Sequence, residues 1–150
     1  MSVTHPQELL LSDGSLRQLY LPSPPSSPVP YNVWKYTQAI LSILGLKQYN
    51  FDWMPSSSSV LGLCVKDSYI AVSDEFFKNP NPRVWKTVLH EIAHAMEYAI
   101  YGQGGHGESW RRCCEAIGLN EKEDAAGKSF VPYPSAELLL QTMLDSYHAE

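Results

Sequence analysis

The stretch from Asn81 to Gly102 constrains the fold more than any other part of this chain. Asn81 suits a helix N-cap, Pro82 suits the first helical position, and Gly102 is a natural C-terminal stop. Between them Trp85, Val88, Leu89, Ile92, Met96, Ala99 and Ile100 recur at helical spacing, which predicts one long amphipathic helix. Its apolar face must be covered by the rest of the chain. With 150 residues and 44% hydrophobic composition, that chain can bury one core but has little room for two.

The covering elements can be read on either side. From Tyr31 to Leu46 the residues Val33, Trp34, Ile40, Leu41, Ile43 and Leu44 fit a helix with one buried face, and Gly45 lies where it would stop. Phe51 to Met54 reads as a short strand. Val60–Val65 and Tyr69–Val72 are β-rich runs flanking Lys66-Asp67-Ser68, an antiparallel hairpin signal. After the glycine-rich turn 102–107, Glu108 to Ile117 predicts a second helix with Trp110, Cys113, Cys114 and Ile117 inward and Gly118 as its stop. Ser135 could cap a last helix carrying Leu138, Leu139, Met143, Leu144 and Tyr147. The expected class is α+β: a first helix, a small antiparallel sheet of about three strands, the long helix and a following helix.

Residues 1–30 read differently. Two leucine clusters, Leu9 to Leu11 and Leu16 to Leu21, flank the turn-like Ser12-Asp13-Gly14, as in a docking arm or weak hairpin. The run from Pro22 to Pro30 is too rich in proline for a helix or an inner strand. The expected division is an arm and linker over 1–30 and a compact domain over 31–150.

The polar side of the long helix carries His90-Glu91-Ile92-Ala93-His94. Residues four apart on a helix lie about 40° apart around the axis and roughly 6 Å along it, so two imidazoles can converge on one metal ion. Imidazole nitrogens bind zinc at about 2.0 to 2.1 Å, which this spacing permits. Glu91 lies to one side of the pair, where it could act on a water at the metal as a general base. With five histidines in 150 residues, the pattern arises by chance on the order of once in a hundred such chains. Catalytic zinc usually takes a third side chain and keeps one position for water. His106 is the preferred candidate, because the preceding glycines permit a tight reversal and it is in phase with Trp110, Cys113 and Ile117. Glu115, on the following helix, is the competing ligand. Tyr69, Tyr98, Tyr101 and Arg111 are candidate donors to a reacting carbonyl. His5 and His148 have no companions and read as ordinary surface residues.

Other function classes are disfavoured. The net charge is -5 and the 11 basic residues are scattered, with no electrostatic footprint for nucleic acid. No signal segment or membrane span is evident, and three cysteines, two of them adjacent, give no disulfide framework. A reducing, cytoplasmic setting is expected, in the host cytoplasm for a viral chain.

The sequence resembles the SprT-like metallopeptidase family over about residues 31 to 118. The resemblance rests on His90-Glu91-Ile92-Ala93-His94, on Gly105-His106-Gly107-Glu108-Ser109-Trp110, similar to the family's His-Gly-x-x-aromatic segment, and on the hairpin leading into the motif helix. It implies a zincin-like fold, Zn2+ held by His90, His94 and His106, Glu91 as catalytic base, and a protein or peptide substrate. The family includes proteases of DNA–protein crosslinks, so DNA association is implied by resemblance but not supported by charge. The cysteine-rich zinc ribbon of many members is missing, leaving the pattern of a minimal member. The competing reading is a zinc-stabilised interaction module that cuts nothing.

Overall fold

The computed structural model describes residues 9–19, 21–55, 61–105 and 107–119. The helix expected from Ser135 onward, the serine loop at 56–60 and His106 lie outside the described residues.

The first helix, α1, runs Pro30–Ile43, with the rigid φ of Pro30 opening its first turn. Its buried residues are Val33, Tyr36, Thr37, Ile40 and Leu41. Trp34 and Ile43, expected inside, are exposed, and Tyr36 and Thr37 take the inward places. The stripe i, i+3, i+4, i+7, i+8 counted from Val33 is the one that faces the core, and Trp34 and Ile43 fall off it. Gly45 stops the helix at φ 71°, with Leu46 N–H donating to the Leu41 carbonyl and Gly45 N–H to that of Ser42. These two bonds satisfy carbonyls that a helix end otherwise leaves open.

Strands β1 (Asn50–Met54), β2 (Gly62–Val65) and β3 (Tyr69–Ser73) form one sheet in the order β1-β3-β2. The β2–β3 hairpin is antiparallel as expected, turning through Lys66-Asp67-Ser68 with Asp67 at φ 57°. Asp is among the few residues that tolerate this left-handed conformation. The expectation of an all-antiparallel sheet is corrected, because β1 pairs with β3 in parallel, Asn50 opposite Tyr69 through Met54 opposite Ser73. The chain after β1 crosses to the far edge before the hairpin returns β3 to the middle. β2 is thereby an edge strand.

A short helix that the sequence pattern did not signal, α2 (Glu75–Lys78), follows β3 and buries Phe76. The long helix, α3, spans Val84–Tyr101 and ends at Gly102 with φ 74°. It begins a little later than Asn81 and Pro82 suggested. Asn81 instead forms a turn, its Oδ1 accepting the Arg83 N–H at 2.9 Å, and that turn leads into the helix. α3 packs against β2, β3 and α1 and, on another side, against α4 (Glu108–Ala116). Val88, Ile92, Ala93, Ala95 and Met96 are fully buried at its middle, so the helix passes through the core rather than lying on it. Trp110, Cys113 and Cys114 of α4 complete that core. Gly118 closes α4 with the same pair of bonds seen after α1, from Leu119 to Cys114 and from Gly118 to Glu115.

The arm is packed on this body. Leu9 is 1% exposed, Leu10 and Leu16 bridge across the turn at Gly14, and Leu19 N–H donates to the Ala116 carbonyl of α4 at 2.7 Å. Arg112 of α4 donates to the Gly14 carbonyl. Cys64, Cys113 and Cys114 are all buried free thiols. Among the described residues no helix is long and apolar enough to cross a membrane.

Candidate metal centre

His90 and His94 sit one turn apart on α3, their ring centroids 5.0 Å from each other. Trp110, 1% exposed, reaches from α4 beneath both rings, 4.8 Å from His90 and 5.5 Å from His94, the latter nearly stacked at 22°. Its indole nitrogen lies 3.5 Å from the His90 carbonyl oxygen. Aromatic packing on this scale removes ring freedom from both imidazoles before any ligand arrives.

Glu91 is buried at 6% exposure, with its Oε2 3.9 Å from His90 Nε2. Burial withholds the water that would solvate the carboxylate, pushing its pKa from 4.5 up to about 7, with nearby His94 pulling weakly the other way. The wall that covers it is β2. A β-carbon placed on Gly62 would stand 2.8 Å from Glu91 Oε2 and 3.1 Å from Thr87 Cγ2. Only glycine lets the strand backbone approach so closely. Cys64, two residues along β2, is a buried thiol whose pKa is raised first by burial and then by the Glu91 charge.

Glu97 is a residue to which the sequence pattern assigned no role. It is 2% exposed, its Oε1 lies 3.5 Å from His94 Nδ1 and accepts the Gly105 N–H at 3.1 Å, and its Oε2 accepts the Ser109 hydroxyl. The three-residue offset from His94 was the available signal, since such pairs are neighbours on a helix. Nothing in the sequence pointed to Gly105 and Ser109 as its other partners.

The remaining candidates separate clearly. Glu115 is exposed and faces the arm, lining a cavity of about 380 Å3 with Asp13, Ser15, Gln18 and Arg112. Tyr98, one turn beyond His94, has Lys66 Nζ 5.9 Å from its ring centroid and Gly104 packed close to its phenol. Burial raises its pKa, reinforced by the charges of Cys64, Glu97 and Glu91. Among the described residues no three His, Cys, Asp or Glu side chains are grouped to hold a metal ion. The donor set that is described still fits zinc in kind. Two imidazoles are borne on one rigid helix, and His94 turns Nδ1 to the Glu97 carboxylate at 3.5 Å, so that Nε2, on the other flank of the ring, is the atom that would meet a metal.

A small sheet backed by a long helix that carries His90, Glu91 and His94, with a further helix packed behind the histidines, is a zincin-like fold of the metallopeptidase type. The chain belongs to the SprT-like family, whose sequence pattern matches residues 33–128. Comparison with curated proteins and with solved structures yields no match.

Proposed function

We propose that this protein is a zinc-dependent metallopeptidase in which His90, His94 and His106 hold the metal and Glu91 is the general base. The observation that carries the reading is Glu91 itself: a buried carboxylate beside two histidines, its pKa lifted by burial to about 7. A site that only held helices together has no use for that carboxylate, and withdrawing a carboxylate from water is costly.

Zinc, when bound, supplies a Lewis acid that acidifies water and polarises a peptide carbonyl. Everything else falls to the chain. Glu91 accepts a proton from the attacking water at a carboxylate oxygen. As the C–N bond breaks, the same oxygen returns that proton to the leaving amine. Gly62 keeps the β2 backbone close to Glu91 and excludes solvent from one side of it. Among the described residues β2 pairs on one side only, with β3, and pairing of an extended peptide along its other side would bring the peptide beside Glu91.

The test combines metal analysis of purified protein with cleavage of denatured and of DNA-bound proteins, each compared with Glu91→Gln. About one zinc per chain, with cleavage lost in the variant but zinc retained, is the expected result. Zinc binding with no cleavage by the parent would leave the non-catalytic zinc module as the answer, and equal cleavage by parent and variant would remove Glu91 from the role of base. Cleavage only of DNA-bound protein would place the substrate with the family's crosslink proteases.

A further inference from the structure

We infer that Glu97 is a positioning residue that aims His94 at the metal and at the same time anchors the chain on either side of residue 106. The inference rests on the metallopeptidase reading and extends it to a residue outside the His-Glu-His motif.

A carboxylate at 2% exposure persists only where its oxygens are occupied. The partners of Glu97 come from three places: His94 Nδ1 on the preceding turn of α3 at 3.5 Å, the Gly105 amide in the glycine-rich turn at 3.1 Å, and the Ser109 hydroxyl in the first turn of α4. No one of these segments needs a buried anion for its own sake. Together they join the two elements that meet at the site, α3 and α4, through one side chain. Gly105 and Ser109 also bracket residue 106 in the sequence, so the chain entering and leaving that position is tied to the helix that bears His90 and His94.

The contact with His94 has a chemical consequence. An imidazole that donates its Nδ1–H to a carboxylate is held in one tautomer, its Nε2 lone pair facing the other way and made more basic. Trp110 stacks on the face of the same ring, so its tilt and its tautomer are fixed by different neighbours. The i, i+3 offset makes this possible, since one turn of helix brings the carboxylate level with the ring edge.

Glu97→Gln separates this role from a plain structural tie. The amide oxygen can still accept from Gly105 and its NH2 can donate to Ser109 Oγ, but the charge facing His94 is gone. The experiment has two independent readouts. In the zinc-free parent, 15N-histidine NMR at a pH where imidazoles are neutral reports which His94 nitrogen carries the proton. Chelator competition gives the zinc affinity of the parent and of Glu97→Gln, with thermal unfolding of both zinc-free proteins as the check on folding. The expected result is an Nδ1–H tautomer at His94, a loss of zinc affinity of about 10- to 100-fold in the variant, and zinc-free unfolding temperatures that nearly coincide. An Nε2–H tautomer, or zinc affinity within twofold of the parent in a folded variant, overturns the inference and leaves the peptidase reading standing. A parent that takes up no zinc overturns the peptidase reading, and the metal-directed role of Glu97 with it, whatever the tautomer. The NMR arm needs only the parent, so the contact is decided even if the variant does not fold.

Discussion

Burying Glu91 should give the zinc-free protein an unusual pH dependence of stability. A carboxyl of ordinary pKa 4.5 that titrates near 7 in the folded chain holds its proton more tightly when folded than when unfolded. Between those values the unfolded state has lost a proton that the folded state keeps. Stability therefore falls as pH rises from about 4.5 to about 7 and is flat in this respect above it. Each pH unit separating the folded from the unfolded titration is worth about 1.4 kcal/mol, so the whole effect is about 3 kcal/mol. Glu91 is almost fully buried, and solvent screening takes little from that figure. Other groups titrate over the same range, so the measurement is a difference: urea unfolding of parent and Glu91→Gln, both stripped with chelator, from pH 5 to pH 8.5. The variant should gain on the parent by up to about 3 kcal/mol across the interval, because its amide has no charge to bury. Parallel stability curves for the two proteins would refute the assignment of Glu91 as a buried, late-titrating carboxyl. Adding zinc should flatten the difference, since a nearby dication favours the ionised form.

Gly62→Ala should cost about 1 to 3 kcal/mol in thermal or urea unfolding and reduce cleavage, because its methyl would crowd Glu91 Oε2 at 2.8 Å and Thr87 Cγ2 at 3.1 Å; wild-type stability and turnover would show that β2 does not hold that carboxylate. Leu9→Ala should destabilise by about 2 to 5 kcal/mol, as expected for a leucine that is 1% exposed, and an unchanged urea midpoint would mean that the arm adds nothing to the core. His94→Ala and His106→Ala should each abolish stoichiometric zinc binding while Glu115→Gln retains it, since Glu115 faces the arm; metal analysis showing zinc lost from Glu115→Gln and kept in His106→Ala would reverse the choice of third ligand.

Much of this architecture is written locally. The long helix, its stop at Gly102, the β2–β3 hairpin turning at Lys66-Asp67-Ser68 and the helix from Glu108 all follow from turn chemistry and apolar spacing within a few residues. The shifted start of α3 is a local competition too: the Asn81 side chain takes the Arg83 amide in a turn, a choice that propensity alone does not rank. The parallel pairing of β1 is another matter. Strand patterns state which faces are apolar, while the neighbour and its direction depend on where the connecting chain crosses. The inward face of α1 departs from expectation at Trp34 and Ile43 for a related reason, since several apolar stripes are available and only the packed sheet and α3 select among them.

The candidate site divides along the same line. His90, Glu91 and His94 are adjacent on one helix, so the rigid 3.6-residue period alone brings them together, and the sequence determined that much without help. Burial of Glu91 under Gly62, the packing of Trp110 beneath both imidazoles, and the joining of His94, Gly105 and Ser109 by Glu97 bring residues from separate elements within contact distance. Those contacts span loops whose paths no local rule fixes. Tertiary packing therefore set the environment that raises the pKa of Glu91 and orients the histidines, because desolvation and ring stacking come from neighbours distant along the chain.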